Sequence, residues 1–391
     1  MSAPMSAVAG SGRLRSVVLA AGGSAGHVEP ALAVADALRE AYPDLLLTVL
    51  GTAAGPEALL VPARGYRLST IPRVPLPRKL SEDLVAVPWR LVRAGRAAAA
   101  ALHTNRADVL VGFGGYVSAP AYLAARLHSV PIVVHEANSL PGLANRMGAR
   151  LTRFVAVSTP ETRLPHAVLT GIPLRRALLT SRERQQVPAA RAEARRGFGL
   201  DPDRPTLLAF GGSLGAVHLN TALVGAAARL TAAGIQVLHS TGARHYEDVV
   251  AGLRGVGPAG ASYVAVPYVS DMPAAYVAAD LAVCRAGAIT CAELGAVGLP
   301  AVYVPLAVGN GEQRLNALPM VKAGGGVMVE DGALSGDELV ARIVPLLNDP
   351  QRLAAMRSAA GDSGRPDAAQ RVVRLIEEAA ARPVRRRRTQ R

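Results

Sequence analysis

Short apolar runs alternate with longer helical patterns along most of the chain. In the first half, five runs have the length and composition of buried strands: Ser16–Ala21, Leu45–Leu50, Asp108–Val111, Pro131–His135 and Phe154–Val157. Six similar runs follow in the second half: Thr206–Phe210, Ile235–Ser240, Tyr263–Pro267, Asp280–Cys284, Ala301–Val304 and Gly326–Val329. Strands that alternate with helices predict an α/β fold, with doubly wound parallel sheets covered by helices on both faces.

An arginine-rich segment with the turn "LDPDRP" separates the two stretches of alternation. The length of 391 residues also exceeds what one hydrophobic core ordinarily serves. The predicted organisation is a disordered extension at 1–13, a first domain at 14–175, a linker at 176–204, a second domain at 205–362, a terminal helix at 363–382 and a basic tail at 383–391.

A glycine-rich turn follows the first strand of each predicted domain. The segment "GGSAG" at Gly22–Gly26 recurs as "GGSLG" at Gly211–Gly215, and "VGFGGYVSAP" at Val111–Pro120 has the same context. The first N–H groups of a helix lack intrahelical partners, so such a turn suits an anion, although a purely structural turn is an equally simple interpretation. The spacing is not GxGxxG and the acidic ribose ligand is missing, which disfavours a dehydrogenase.

The charge balance points to an anionic partner. The chain has 43 Lys and Arg against 29 Asp and Glu, a formal net charge of +14. Nucleic acid, an anionic membrane and phosphorylated substrates all agree with that sign. Aromatic residues, which stack on bases, make up only 4% of the chain, and no nucleic-acid module is recognisable. We therefore predict no nucleic-acid partner.

Cysteines and apolar segments limit the remaining classes. Cys284 and Cys291 match no zinc spacing and predict a reducing compartment. No signal peptide is expected, and the uncharged stretch Leu294–Gly309 is shorter than the ~20 residues of a membrane span. The segment Val74–His103 combines Trp89 with several basic residues. A membrane interface is the favoured interpretation, whereas a core-facing helix with a charged edge describes its alanine-rich end.

Polar side chains follow two further strands. His135 and Glu136 begin "HEANSLPGLAN", where a structural His–Glu pair is at least as compatible as a functional one. Arg285 and Glu293 lie in "CRAGAITCAEL". A helix start beside an arginine favours phosphate, and Glu293 one turn later is placed to hold a ribose diol.

Taken together and in this order, these stretches resemble the MurG family of glycosyltransferases; the similarity runs from Leu19 to about Ala323. The resemblance implies a GT-B fold, with two Rossmann-like domains facing across a cleft. It implies inverting transfer of N-acetylglucosamine (GlcNAc) from UDP-GlcNAc to the C4 hydroxyl of N-acetylmuramic acid (MurNAc) in lipid I, undecaprenyl-pyrophosphoryl-MurNAc-pentapeptide. The product is lipid II, used in peptidoglycan synthesis.

The resemblance also implies a cellular setting. It predicts a peripheral position on the cytoplasmic face of the cell membrane, an anionic lipid surface as a partner, and cell-wall synthesis and division proteins as candidate partners. No cofactor and no metal are implied, because the family lacks the DxD metal motif; the "DPD" at Asp201–Asp203 is interpreted as a turn cap.

Ligand contacts are implied position by position. Ser24, Ala25 and Gly26 contact the donor or the acceptor pyrophosphate, and Asn138 and Arg175 lie on the acceptor side. Ser213 contacts the donor phosphates, the Val269 backbone pairs with uracil, and Glu312 or Gln313 contacts the sugar hydroxyls. The nucleotide is surrounded by Ala288, Ile289, Thr290, Cys291, Ala292 and Glu293, with Glu293 on the ribose. The family prefers glycine where this chain has Ala25, so a positive φ there would strain the loop.

The mechanism needs a base for the acceptor hydroxyl and a stabiliser for the leaving diphosphate. His27 is the first candidate for the base, because its reference pKa of about 6.5 suits proton transfer at neutral pH; a hydrogen bond to the acceptor or to its own loop is nearly as plausible a role. His135 and Glu136 are reserve candidates behind the site. Arg285, helix amides and Ser213 are expected to neutralise the diphosphate without a metal.

Two other function classes remain open at this point. Another GT-B UDP-sugar enzyme, such as a diacylglycerol glycosyltransferase or a UDP-GlcNAc 2-epimerase, would share the second half without needing "HEAN" or "GGYVS". A non-catalytic scaffold that binds a nucleotide or a membrane would be expected to have lost His27, Arg285 or Glu293, and all three are present.

Overall fold

A computed structural model describes residues 14–74, 83–212, 215–256, 263–307 and 310–382, with the backbone alone for 83–88. The predicted extension at 1–13 and basic tail at 383–391 lie outside this description. The chain divides into two units, Met1–Pro173 with Asp367–Arg391, and Leu174–Pro366. Among the described residues, no helix has both the length and the apolar character that a membrane crossing requires.

The first unit is built on a seven-stranded sheet. Its strands are β1 (Ser16–Ala20), β2 (Leu46–Gly51), β3 (Arg67–Thr70), β4 (Val109–Gly112), β5 (Ile132–Glu136), β6 (Phe154–Val157) and β7 (Ala167–Leu169). They are parallel throughout and lie in the order β3-β2-β1-β4-β5-β6-β7. The five predicted strands are the inner ones. The edge strands β3 and β7 were missed, because their partly exposed residues give no apolar run.

In the part of the chain that the structure describes, six helices cover this sheet. They are α1 (Ala25–Ala41), α2 (Glu57–Ala63), α3 (Asp83–Thr104), α4 (Gly115–Leu127), α5 (Leu143–Gly148) and, from the end of the chain, α16 (Ala368–Ala380). The buried face of α16, which includes Val372 and Ile376, packs against α1, β5 and β6. The Tyr42 hydroxyl donates to Glu377 Oε1 at 2.5 Å and fastens the end of α1 to α16.

The second unit has a six-stranded sheet. Its strands are β8 (Thr206–Phe210), β9 (Gln236–Ser240), β10 (Tyr263–Val266), β11 (Leu281–Cys284), β12 (Ala301–Tyr303) and β13 (Gly326–Met328). They are also parallel, in the order β10-β9-β8-β11-β12-β13. The chain therefore has the predicted fold, two doubly wound Rossmann-like sheets of the GT-B type.

Ten α-helices among the described residues surround the second sheet. They are α6 (Arg176–Leu179), α7 (Ser181–Gln185), α8 (Pro188–Gly197), α9 (Val217–Ala232), α10 (Tyr246–Gly252), α11 (Met272–Ala278), α12 (Ala288–Val297), α13 (Glu312–Lys322), α14 (Gly336–Leu347) and α15 (Pro350–Ser363). Residues 176–204, predicted as a linker, supply α6, α7 and α8 to this unit. Leu178 is fully buried there, and the Gln185 amide donates to the carbonyl oxygens of Tyr276 and Ala279.

A buried histidine joins three elements of the second unit. The Asn220 amide donates to the Thr241 carbonyl oxygen at 2.9 Å, so Asn220 Oδ1 is left to accept from His239 Nε2 at 3.1 Å. His239 Nδ1 then accepts from the Tyr263 hydroxyl at 2.9 Å. Burial lowers the pKa of His239 to about 4, so the ring is neutral at pH 7.

This lowered pKa predicts a specific acid sensitivity. In the unfolded chain His239 binds a proton below about pH 6.5, whereas in the folded chain it does so only near pH 4. Stability therefore falls as the pH falls from 6.5 towards 4, by up to about 1.4 kcal/mol per pH unit from this residue. We expect H239Q to reduce the slope of the urea-unfolding free energy against pH, between pH 4 and pH 6.5, by the equivalent of about one bound proton. The exposed-site variant H128Q is the control; equal slopes for H239Q and the parent chain would contradict the assignment.

Candidate functional site

Two glycine loops meet at the carboxyl edge of the first sheet. Strands β1 and β4 are neighbours, so the loops leading into α1 and α4 emerge side by side. A Cβ at Gly115 (φ +77) would overlap the carbonyl oxygen of Gly22, and one at Gly114 (φ +97) would lie 3.0 Å from His27 Nε2. Both positions combine a left-handed conformation with a crowded neighbour, so the loops require glycine there.

His27 lies in the first turn of α1, half-buried beside this contact. Its Nδ1 is 3.0 Å from Ser24 Oγ, and its backbone N–H donates to the Ser24 carbonyl oxygen at 3.1 Å. Ser24 itself is extended, as the N-terminal cap of α1. Ala25 is the first helical residue and does not have a positive φ, so the strain considered for the family's glycine position does not arise.

Glu57 accepts hydrogen bonds that hold the loop between β1 and α1 in place. It is not among the residues predicted from the sequence. Its fully buried carboxylate accepts from the Thr52 N–H (2.9 Å), the Thr52 hydroxyl (2.6 Å) and the Gly23 N–H (3.2 Å). Three donors thus replace the water that an ionised carboxylate loses on burial. The available signal was "GTAAGPE", a glycine-rich turn after β2 that ends in an acid.

His135 occupies a buried position at the end of β5. Its Nε2–H donates to the Gly171 carbonyl oxygen at 3.0 Å, and its ring lies 5.4 Å from that of Phe113. Burial lowers the pKa of His135 to about 4. The ring is therefore neutral and a weak base at pH 7, and the geometry favours a supporting role over its reserve role as general base.

Glu136 organises the loop between β5 and α5. Its Oε1 accepts from the Asn138 N–H at 2.9 Å, and its Oε2 accepts from the Gly142 N–H at 2.9 Å and from the Asn145 amide at 3.0 Å. Burial raises its pKa, while these hydrogen bonds act in the opposite direction. Asn145 also links the loop to the Tyr122 hydroxyl, which donates to Asn145 Oδ1. Glu136 therefore positions Asn138, the predicted acceptor-side residue.

Glu293 lies one turn into α12 in the second unit. Its Oε2 accepts from the Tyr276 hydroxyl at 2.7 Å, and its Oε1 is 3.9 Å from Arg175 Nη2. Arg175, predicted to end the first domain and to line the acceptor side, belongs to the second unit instead, because the chain enters that unit at Leu174 and α6 packs against α12. The structure thus places a cation beside the predicted ribose ligand.

Arg285 has a different environment from the one expected. It is buried, and its Nη1 donates to the Val304 carbonyl oxygen at 3.1 Å and to Asp331 Oδ1 at 2.5 Å. A guanidinium already neutralised by a carboxylate is a poor partner for a leaving diphosphate. This geometry supports a role in fixing the end of β11 to the end of β12, rather than the predicted charge neutralisation.

The start of α12 offers the most direct anion site in this unit. Gly287 caps the helix in an extended conformation, and Ala288, Ile289 and Thr290 are partly exposed. Their N–H groups precede the first intrahelical hydrogen bond and have no helical partner. Cys291 is buried, whereas Ala292 continues the partly exposed face.

The other predicted donor contacts are distributed around the same edge. Within the described part of the chain, no hydrogen bond uses the N–H or the C=O of Val269, whose side chain is buried. Gln313 Oε1 accepts from the Leu306 N–H at 3.0 Å, and Glu312 begins α13. Ser213 lies outside the described residues. No group of three or more possible metal ligands occurs in the residues described.

Two domain families match the chain. Residues 17–157 match the glycosyltransferase family 28 N-terminal domain, and residues 206–372 match the glycosyltransferase family 28 C-terminal domain. A protein of Frankia casuarinae is 58% identical over 94% of this chain and 96% of its own length. One of Acidothermus cellulolyticus is 54% identical over 93% and 98%. Both are named UDP-N-acetylglucosamine–N-acetylmuramyl-(pentapeptide) pyrophosphoryl-undecaprenol N-acetylglucosamine transferase.

Solved structures show the same architecture. The MurG structure from Acinetobacter baumannii has a TM-score of 0.73 and 29% identity, over 93% of this chain and 99% of that one. A UDP-GlcNAc 2-epimerase from Neisseria meningitidis, bound to UDP-GlcNAc, has a TM-score of 0.66 but 13% identity, over 93% and 100%. At that identity the epimerase likeness concerns the fold alone.

The contact between the two glycine loops makes a stability prediction. We expect G115A to lower the urea-unfolding free energy by at least about 2 kcal/mol, because the new methyl group meets a backbone oxygen in a left-handed conformation. G95A is the matched control. Gly95 is within α3 and a Cβ there meets nothing within 4 Å, so G95A should be neutral or stabilising by up to about 1 kcal/mol. Equal unfolding free energies for G115A and the parent chain would contradict the crowded contact.

Proposed function

Because the chain belongs to the MurG family within glycosyltransferase family 28, we propose that it transfers N-acetylglucosamine from UDP-GlcNAc to lipid I. The acceptor is N-acetylmuramyl-(pentapeptide) pyrophosphoryl-undecaprenol and the product is lipid II. The observation that carries the proposal is the near-full-length identity of 58% to a relative named for this reaction. The chain is a glycosyltransferase, and the epimerase alternative has no support beyond the fold.

The donor is proposed to bind at the carboxyl edge of the second sheet. The first amides of α12 and Ser213 receive the diphosphate, and Glu293 accepts from the ribose hydroxyls. The N–H and C=O of Val269 pair with uracil, because neither group makes a hydrogen bond to another of the described residues. Glu312 or Gln313 contacts the sugar. Arg175, whose side chain is one-third exposed and whose Nη2 lies 3.9 Å from Glu293, adds a positive charge to this edge, whereas Arg285 is buried and donates to Asp331 at 2.5 Å.

The acceptor is proposed to bind at the glycine loops of the first unit. Ser24, Ala25 and Gly26 surround its pyrophosphate, and Asn138 contacts its sugar. His27 takes the proton of the C4 hydroxyl as the hydroxyl oxygen attacks the anomeric carbon and the bond to UDP breaks, with inversion. This role requires the tautomer in which Nδ1–H donates to Ser24 Oγ, because Nε2 then carries the lone pair.

Attachment to the membrane is proposed to involve α3. Trp89 and Val92 are exposed by 70% and 47%, and Arg93 and Arg96 are exposed on the same helical face. An aromatic side chain beside arginines suits the surface of an anionic bilayer, on which the prenyl-linked acceptor is held. We accordingly place the protein peripherally on the cytoplasmic face of the cell membrane, where cell-wall synthesis and division proteins are candidate partners.

A transfer assay tests the proposed reaction. The chain is incubated with UDP-[¹⁴C]GlcNAc and a synthetic lipid I analogue, and labelled disaccharide lipid is separated from the donor. UDP-[¹⁴C]glucose and diacylglycerol replace donor and acceptor in parallel reactions. We expect label in the disaccharide only with UDP-GlcNAc and the lipid I analogue. Label in diacylglycerol, or N-acetylmannosamine released from UDP-GlcNAc, would refute the proposal.

The proposed base makes a kinetic prediction. We expect H27A to lower kcat by about 10²-fold or more while KM for UDP-GlcNAc changes less than about threefold, since a general base acts on the transition state. S24A keeps the imidazole and removes the hydroxyl that lies beside Nδ1 and at the proposed pyrophosphate site, so it should cause a smaller loss of kcat than H27A. H128A, at an exposed position, is the control for substitution itself. An unchanged kcat in H27A would exclude His27 from the role.

A further inference from the structure

A polar pocket lies at the edge of the second sheet opposite the proposed donor site. Asp280 directly precedes β11 and Pro205 directly precedes β8, so the pocket is at the amino ends of these strands, away from the proposed donor site. Its volume is about 430 Å³, within the range of small-molecule sites. The helices α8 and α15 form two of its walls, with Arg191 and Arg195 from α8 and Arg357 from α15.

Three guanidinium groups converge on one carboxylate in this pocket. Asp280 Oδ2 accepts from Arg195 at 2.7 Å and from the Thr206 N–H at 2.8 Å, and Asp280 Oδ1 accepts from Arg357 at 2.8 Å and from Arg191. One aspartate cannot neutralise three arginines. Asp203, exposed at the rim, is the other acid that lines the pocket, so the lining keeps a net charge of +1.

The three arginines differ in how fully their donors are used. Arg195 donates to Asp280, to the Ala278 carbonyl oxygen at 2.9 Å and to the Pro202 carbonyl oxygen at 2.7 Å, which accounts for a structural role. The Nε atoms of Arg191 and Arg357 are buried and have no hydrogen-bond partner among the described residues. Burial lowers the pKa of both Arg195 and Arg357, against the attraction of Asp280.

We propose that this pocket binds the phosphoryl or diphosphate group of a phosphorylated ligand through Arg191 and Arg357. Phosphate oxygens accept hydrogen bonds from the fork of a guanidinium, and a doubly charged anion supplies the charge that Asp280 lacks. Leu347, Leu353 and Ala354 provide an apolar wall for the remainder of the ligand. The site is separate from the residues proposed for transfer, so it does not depend on that reaction.

Calorimetric titration with pyrophosphate tests whether the pocket binds a free phosphorylated ligand. The titration is done in low salt, with saturating UDP present to occupy the donor site. The double variant R191Q/R357Q leaves Asp280 paired with Arg195, and the control R229Q/R342Q removes two exposed arginines of the same unit. We expect at least about tenfold weaker binding in R191Q/R357Q and a change below about twofold in R229Q/R342Q. Circular dichroism checks that each variant is folded.

A second pair of variants tests the pocket with every charge retained. A354L places a larger side chain on the pocket wall, while A355L changes the next exposed residue of α15, which does not line the pocket. We expect A354L alone to weaken binding of pyrophosphate.

Sedimentation with phosphatidylcholine vesicles that contain phosphatidylglycerol tests whether the phosphoryl group belongs to a lipid. If R191Q/R357Q and A354L reduce binding to these vesicles and not binding of pyrophosphate, the ligand is a lipid headgroup. Binding to neither probe, or binding unchanged in both R191Q/R357Q and A354L, would show that the cluster is structural only and would overturn the proposal.

Discussion

The close approach of Gly115 to the Gly22 carbonyl oxygen is the constraint on which the carboxyl edge of the first unit's sheet depends. Two neighbouring parallel strands deliver their loops to one place, and the helices that follow begin there. Side chains at the contact would separate the loops. Without side chains, the loops pack backbone against backbone and His27 lies against the second loop. The positions of the proposed anion site and of the candidate base thus follow from one backbone contact.

In the second unit a glycine loop is again packed closely against a backbone carbonyl oxygen, but different polar side chains hold it in place. A Cβ at Gly215 would lie 2.5 Å from the Thr241 carbonyl oxygen, so this loop also packs against the end of a neighbouring strand. In the first unit the supporting polar group is the carboxylate of Glu57, held by N–H and hydroxyl donors. In the second unit, Asn220 fixes Thr241 and is itself held by the neutral His239. In both units, buried polar residues with satisfied hydrogen bonds fix the loops that carry the proposed chemistry.

The sequence predicts the sheets well and the electrostatics poorly, for physical reasons. Inner strands of a parallel sheet are buried on both faces and appear as apolar runs, whereas β3 and β7 are half-exposed edges without that signature. The partner of Arg285 is Asp331, 46 residues later. Glu57 accepts from Gly23, 34 residues earlier. Such pairings depend on which loops the topology brings together. The local sequence around a charged residue therefore does not show whether another side chain in the fold already pairs with it. Arg175 lies in the second unit and not, as the sequence predicts, in the first; no compositional signal marks the division between Pro173 and Leu174.

The central claim is that the amides at the start of α12, with Glu293, hold a nucleoside diphosphate. A crystal structure of the chain with UDP tests it most directly. The account predicts diphosphate density against the N–H groups of Ala288–Thr290, a ribose hydroxyl within hydrogen-bond distance of Glu293, and uracil beside the Val269 backbone. Well-defined UDP density elsewhere, with these groups left in water, would contradict it.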